Sequence, residues 1–400
     1  MIPGHTIGPR RVLSISTLYP NSHMPRFGTF VARSLEALAA RGEWDVTVIN
    51  PIGIPPLALG RYKPLVAAAT DGVETGVKVH RPCFTLIPNI GARINPGVIG
   101  RKILPLVERL HAEHPFDLID AQFFYPDGPA AAWIAEQLGL PCSIKARGSD
   151  ISFWGQKHFA LDQMLEAAER ATGLLAVSKA LARDMDRIGM SLDKISVHYT
   201  GLDRDRFRPL DHDGMRTMLG RRLGIDLPEK KPLFVSVGAL IERKGQDMAL
   251  GALPSIPDAR LLLIGNGQDE RHLRNLAFDL KVDDRVFFLG SVDHDILPVI
   301  LSAADAMVLP SANEGLANAW VEALACGTPL VICDAGGARE LVTSEDAGLI
   351  VDRSLEAVTA GLQQILANRP PRAAVAAMAE QFSWQANAEK LSHYYTRLIS

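Results

Sequence analysis

The sequence predicts an α/β protein built as two doubly wound, Rossmann-like domains facing a cleft. Short β-branched runs alternate with longer helical patterns from end to end, and the alternation breaks once over a charged stretch before restarting. The 400 residues also exceed what one hydrophobic core supports, about 100–200 per domain being usual. Strands joined by helices need crossovers, which are right-handed and build a mostly parallel sheet covered on both faces.

The first series runs through a strand in "RVLSIST" (11–17), a helix in "TFVARSLEALAARG" (29–42) and a strand in "DVTVIN" (45–50). Residues 51–76 are Pro-rich and irregular and read as an insertion covering one side of the first domain. "DLIDAQ", "AAAWIAEQLG", "CSIKARG", "GLLAVS" and "KISVHYTG" then resume the pattern. Residues 204–232 are charged, bounded by Pro and Gly and without a strand pattern, which reads as a linker. The second series follows: "LFVSVGAL", "ARLLLIGNG", "RVFFLG", "DAMVLPS", "PLVICDAGG" and "GLIV". The predicted domains are therefore 1–203 and 233–382, joined by 204–232.

Hydrophobic residues make up 47% of the chain and charged residues 22%, the balance of a globular protein. A net charge of −3 with scattered basic residues argues against nucleic-acid binding by phosphate neutralisation. Four dispersed cysteines, with no Cys-x-x-Cys pair, fit a reducing cytosol. The start lacks an apolar signal region, and nowhere do about 18 uncharged apolar residues run together. The expectation is a cytoplasmic protein. The basic and apolar helix "GRKILPLVERLHAEH" leaves peripheral contact with the inner face of the membrane open beside a plain solvated helix.

Ligands of such folds bind at the carboxyl ends of the strands, so the strand-to-helix loops are the places to search. "ANEGLANAWVEALACGTP" (312–329) puts Glu314 and Glu322 in an otherwise apolar or small stretch. Ala319, Trp320, Val321, Ala323, Leu324 and Ala325 cover every side of a helix, so Glu322 sits on a buried one and is either partnered or functional. Gly315 opens that helix, and free amides at Leu316, Ala317 and Asn318 suit an anion, although Glu314 could equally complement its own helix dipole. In "VGALIERKGQDMAL" a strand ends at Gly238 and a loop carries Arg243 and Lys244 before a glycine, a pattern that suits a diphosphate and that alone also fits a solvated loop. In the first domain Gly28 allows close backbone approach, Thr29 offers a helix cap, and "KARGSD" places Arg147, Gly148, Ser149 and Asp150 at a strand end. Together these loops suit a phosphate-bearing ligand with hydroxyls for the carboxylates to hold.

Over nearly its whole length the chain resembles the family 4 glycosyltransferases of GT-B architecture. "EGLANAWVEALACGTP" is similar to that family's Glu-x7-Glu element, "VGALIERKGQDMAL" to its phosphate loop, "YTGLDRDRFRP" to the turn before its linker and "FSWQANAEKLSHYY" to its closing helix. Three positions depart from the pattern: Ala239 stands where Arg is frequent, Arg147 where His is frequent, and Thr200 where Asn is usual.

The resemblance implies a retaining glycosyltransferase moving a sugar from a nucleoside-diphosphate sugar to a glycan, lipid-linked or small-molecule acceptor. It implies no cofactor and no divalent metal. Glu322 would take the ribose hydroxyls, Glu314 the transferred sugar, the amides of Leu316, Ala317 and Asn318 the sugar and diphosphate, and Lys244 the diphosphate. Gly28 would leave room for the phosphates, and Arg243 or Arg147 would supply the charge absent at Ala239. The N-terminal domain would hold the acceptor, the second domain the donor, and a closing helix over 383–400 would pack back on the first domain. "STLYPNSHMPRFGTFVARSLEAL" and "DAQFFYPDG" look most like members that build cell-envelope or exported polysaccharides. Two other readings remain: a nucleotide-sugar epimerase of similar form, and a nucleotide-sugar-binding module without catalysis.

Overall fold

The computed structural model describes residues 8–56, 60–87, 91–210, 214–293 and 295–400. The chain forms two compact units, Met1–Gly201 with Trp384–Ser400, and Leu202–Ser383.

The first unit is an eight-stranded sheet. Its spatial order is Ile195–Val197, Gly173–Ala176, Cys142–Ala146, Leu118–Ala121, Arg10–Ile15, Trp44–Ile49, Val77–His80 and Gly72–Glu74. Every neighbouring pair is parallel except the last, where Gly72–Glu74 runs antiparallel to Val77–His80. The central strands read as unbroken apolar runs because helices cover both faces. Helix Thr29–Ala40 buries Val31, Ala32, Ser34, Leu35 and Leu38, the three-and-four spacing of one helix face. Gly28 precedes it in a left-handed conformation, and Thr29 makes no capping bond.

Residues 51–76 are more regular than their composition suggests. They hold strand Ile52–Ile54, helix Lys63–Ala68 and the edge strand Gly72–Glu74, while residues 57–59 lie outside the described residues. Helix Trp384–Leu398 belongs to the first unit. Trp44 Nε1 donates to Ser392 Oγ at 3.1 Å, the Trp44 and Tyr395 rings meet edge-on at 5.4 Å, and Asn387 Nδ2 donates to Tyr199 O at 2.6 Å.

The second unit is a six-stranded, all-parallel sheet in the order Val286–Gly290, Arg260–Ile264, Leu233–Val237, Ala306–Leu309, Leu330–Cys333 and Gly348–Val351. Its core gathers Phe234, Leu261, Leu263, Val308, Val331, Val358 and Leu362. Among the described residues no helix is long and apolar enough to cross a membrane, and the four cysteines are free thiols.

The stretch 204–232, read from sequence as a linker, is part of the second unit. Helix Met215–Leu223 carries Arg216, whose guanidinium is buried and pairs with Asp305 at 2.9 Å, the carboxylate that also meets Arg369 at 2.8 Å. Arg216 donates further to Ala303 O at 2.8 Å and Lys231 O at 2.6 Å. Composition shows charge but not where a charge is buried, so the pattern of a linker and that of an anchored helix look alike. Arg216→Ala should lower unfolding stability by about 3 kcal/mol, because it strands buried acceptors while Arg369 still compensates Asp305. An unchanged urea midpoint would show that the helix is not anchored through this residue.

Candidate active site

In an open parallel sheet, ligands bind where the strand order reverses and the loops leaving two adjacent strands part. In the second unit that place lies between Leu233–Val237 and Ala306–Leu309. The loops that follow, 238–245 and 310–317, carry Gly238, Arg243, Lys244, Glu314 and Gly315. Lys244 Nζ donates to Glu314 Oε1, with the two side chains 12% and 9% exposed. Two residues distant in the chain are thus brought into one ion pair.

Backbone ties fix these loops. Arg243 is exposed, donates from Nη1 to Asn313 O at 3.0 Å, and accepts at its carbonyl from Ala312 N at 2.7 Å. Arg353 joins both loops, Nε donating to Pro310 O at 3.1 Å and Nη2 to Glu242 O at 3.2 Å. Gln246 Nε2 donates to Ala239 O at 3.0 Å. Neither Arg353 nor Gln246 stood out in the sequence, where the one signal was a basic residue just past a strand. Gly336, at φ 53°, lies so close to the Glu314 loop that a Cβ would fall 1.9 Å from Glu314 O, and Gly337 N donates to Gly315 O at 2.8 Å. At Gly238 a Cβ would make only ordinary contacts, 3.7 Å from Lys244 Cε.

The helix starts later than Gly315, at Asn318, and runs to Ala325 with no side-chain cap. The amides of Leu316, Ala317 and Asn318 have no acceptor among the described residues, leaving open donors at its N-terminal end. Trp320, Val321, Ala323, Leu324 and Ala325 are buried. Glu322 is half-buried, its carboxylate has no hydrogen-bond or ion-pair partner among the described residues, and burial pushes its pKa up to about 7. Among the described residues no three His, Cys, Asp or Glu side chains gather as a metal site.

In the first unit the order reverses between Arg10–Ile15 and Leu118–Ala121. Arg147 follows the strand next to the latter, with Nε donating to Gln122 O at 2.6 Å and its guanidinium carbon 4.8 Å from the Phe30 ring. Burial lowers its pKa to about 10. Asp150 folds the "RGSD" loop inward by accepting from the amides of Phe124, Arg147, Gly148 and Ile151. Gly28, at φ 72°, is required by its own chain: a Cβ would lie 2.5 Å from the Leu18 carbonyl. That contact accounts for the glycine without a ligand.

Two family models match this chain: Glycosyltransferase Family 4 over residues 27–206 and Glycosyl transferases group 1 over 223–382. The chain is a family 4 glycosyltransferase. A Bacillus subtilis protein named as a teichuronic acid biosynthesis glycosyltransferase is 26% identical to it, over 96% of this chain and 98% of the relative. A GDP-mannose-dependent phosphatidylinositol monomannoside mannosyltransferase of Mycobacterium tuberculosis is 35% identical, but over only 48% of this chain and 54% of its own length. Among solved structures, HepE of Anabaena in complex with UDP matches with a TM-score of 0.74 at 20% identity, covering 97% of this glycosyltransferase and 100% of that chain. The fold is that of the GT-B enzymes.

Glu322 also makes stability depend on pH. Its folded-state pKa of about 7 exceeds the ordinary 4.5, so between these values the folded protein retains a proton that the unfolded chain has lost. Stability should therefore fall as pH rises from about 4.5 through 7, by roughly 2–3 kcal/mol. Glu322→Gln should flatten that slope and leave the protein more stable than wild type at pH 8, as read from urea midpoints across the range. Identical profiles would mean that the carboxylate is compensated in solution.

Proposed function

We propose that this enzyme transfers a sugar, with retention of anomeric configuration, from a nucleoside-diphosphate sugar to a glycan, lipid-linked or small-molecule acceptor in cell-envelope polysaccharide or glycolipid synthesis. The observation that carries the reading is the juxtaposition of Lys244 with Glu314 at the strand-order reversal, beside open helix amides and an unpartnered Glu322. A cation and open amides suit a diphosphate, while carboxylates suit sugar hydroxyls. Glu322 takes the ribose hydroxyls and Glu314 the transferred sugar. Lys244, Arg243 and the amides of Leu316, Ala317 and Asn318 take the diphosphate, and Gly238 and Gly315 line the approach. In the first unit Arg147 offers a further cation at a strand end.

Support for a nucleotide-sugar donor comes from relatives: HepE of Anabaena was solved in complex with UDP and glucose, and the mycobacterial enzyme is named as GDP-mannose-dependent. Charge builds on the departing diphosphate in the transition state, and preorganised cations lower that barrier without reorganising. The enzyme works in the cytoplasm in this reading. Helix Asn95–Glu113, with exposed Arg101 and Lys102 on an amphipathic frame, is the segment that would meet the inner membrane face.

Calorimetry with UDP, GDP and ADP tests the donor assignment. Glu322→Gln should weaken binding of the preferred nucleotide about 10-fold or more, since a hydrogen bond to a charged group contributes roughly 1.5–3 kcal/mol. Lys244→Ala should cut turnover by roughly 100-fold or beyond, more than it weakens donor affinity. Unchanged values would return both residues to structural roles. Product chromatography separates the rivals, since an epimerase converts donor without acceptor and a binding module converts nothing.

Because cations and helix amides can neutralise the diphosphate, turnover should persist in excess EDTA. Activity abolished by EDTA and restored by magnesium or manganese would show this reading of the diphosphate site to be wrong.

A further inference from the structure

Arg147 carries a charge that Asp150 and Asp120 favour from a distance but that no ion pair among the described residues meets. Burial lowers its pKa to about 10, and a desolvated cation is costly unless an anion meets it. Among the described residues no carboxylate forms an ion pair with it. Nε and Nη2 donate to neutral acceptors, Gln122 O at 2.6 Å and Gln122 Oε1 at 2.5 Å, and Nη1 has no hydrogen-bond partner among the described residues. Asp150 gives its oxygens to backbone amides.

Gln122 itself is wholly buried and can sit only one way round. Arg147 presents donors alone, so Oε1 must face it. The NH2 end then donates to Asp120 Oδ2, which also accepts from Ser14 Oγ at 3.0 Å. Ser14 lies in Arg10–Ile15, Asp120 in Leu118–Ala121 with Gln122 just beyond it, and Arg147 just past Cys142–Ala146. These are three neighbouring parallel strands spanning the reversal of the first sheet, where a ligand site is expected. The Phe30 ring at 4.8 Å steadies the guanidinium from the side.

We propose that Gln122, held in one sense by Asp120, is a positioning residue that fixes Arg147 as a receptor for a phosphate-type oxyanion. A planar guanidinium with two nitrogens anchored presents its third in a set direction, which suits a phosphate oxygen. The anion is either the donor's diphosphate or a phosphate carried by the acceptor. Only the donor alternative rests on the function proposed above.

The Arg147 Nε–H resonance, assigned by its loss in Arg147→Lys, can be followed in 15N-arginine spectra of the full chain. The titrants are UDP, GDP and ADP for the donor source and glycerol 3-phosphate for the acceptor source. One set should shift the resonance, and the responding set identifies the source. Gln122→Met should weaken that set's affinity about 10-fold, the loss expected when a charged hydrogen-bonding group must organise itself on binding. Asp120→Asn, which keeps the shape and frees the Gln122 amide to turn, should weaken it in the same direction and serves if Gln122→Met does not fold. A response to none of the titrants, or affinities unchanged in both variants, overturns the proposal. Glu322→Gln separates the two readings: nucleotide affinity unchanged in that variant, with the Arg147 response intact, counts against the function proposed above and not against the receptor.

Discussion

Strand Leu233–Val237 has Arg260–Ile264 on one side and Ala306–Leu309 on the other, so the chain departs from its end in one direction and returns beside it from another. This reversal makes the loops diverge, and everything in the candidate site follows from the gap. Lys244 enters from one loop and Glu314 from the other, and their ion pair spans it. The supporting contacts are mostly to backbone carbonyls, from Arg243, Arg353 and Gln246. Main-chain acceptors hold a loop in place without supplying a charge that would compete with a ligand.

Charges in this protein fall into two kinds. Arg216 is buried and fully answered, meeting Asp305 and several carbonyls. Lys145 and His198 are likewise buried, paired at 2.7 Å, with His198 Nε2 2.9 Å from Asn387 O, and burial lowers the pKa of both, which disfavours a charge on either. Glu322 and Arg147 are different, for neither forms an ion pair among the described residues. Structural charges are compensated within the fold, whereas a group kept uncompensated against its desolvation cost is a candidate for meeting a ligand.

Several residues that look functional in the sequence turn out to have work within the chain. Gly28 is demanded by the Leu18 carbonyl, and Asp150 organises its own loop through four amides. Gly336, which drew no attention, shapes the site by admitting the Glu314 backbone. A glycine or carboxylate in a strand-end loop marks a tight place, and only the contacts tell whether a ligand or the protein itself fills it.

The sequence alone determined the alternation of strands and helices, the two α/β series, the buried helix bearing Glu322 and the loops in which Lys244, Glu314 and Arg147 stand. These follow from local periodicity and strand-end position, which short stretches encode. Tertiary structure decided the rest: that Lys244 and Glu314 touch, that 204–232 is anchored through Arg216, that 51–76 adds an edge strand, and that Gln122 faces Arg147 with Asp120 behind it. Each of these pairs residues far apart in the chain or depends on whether a charge is buried. Sequence spacing constrains neither, because strand order and desolvation exist only once the sheet is assembled.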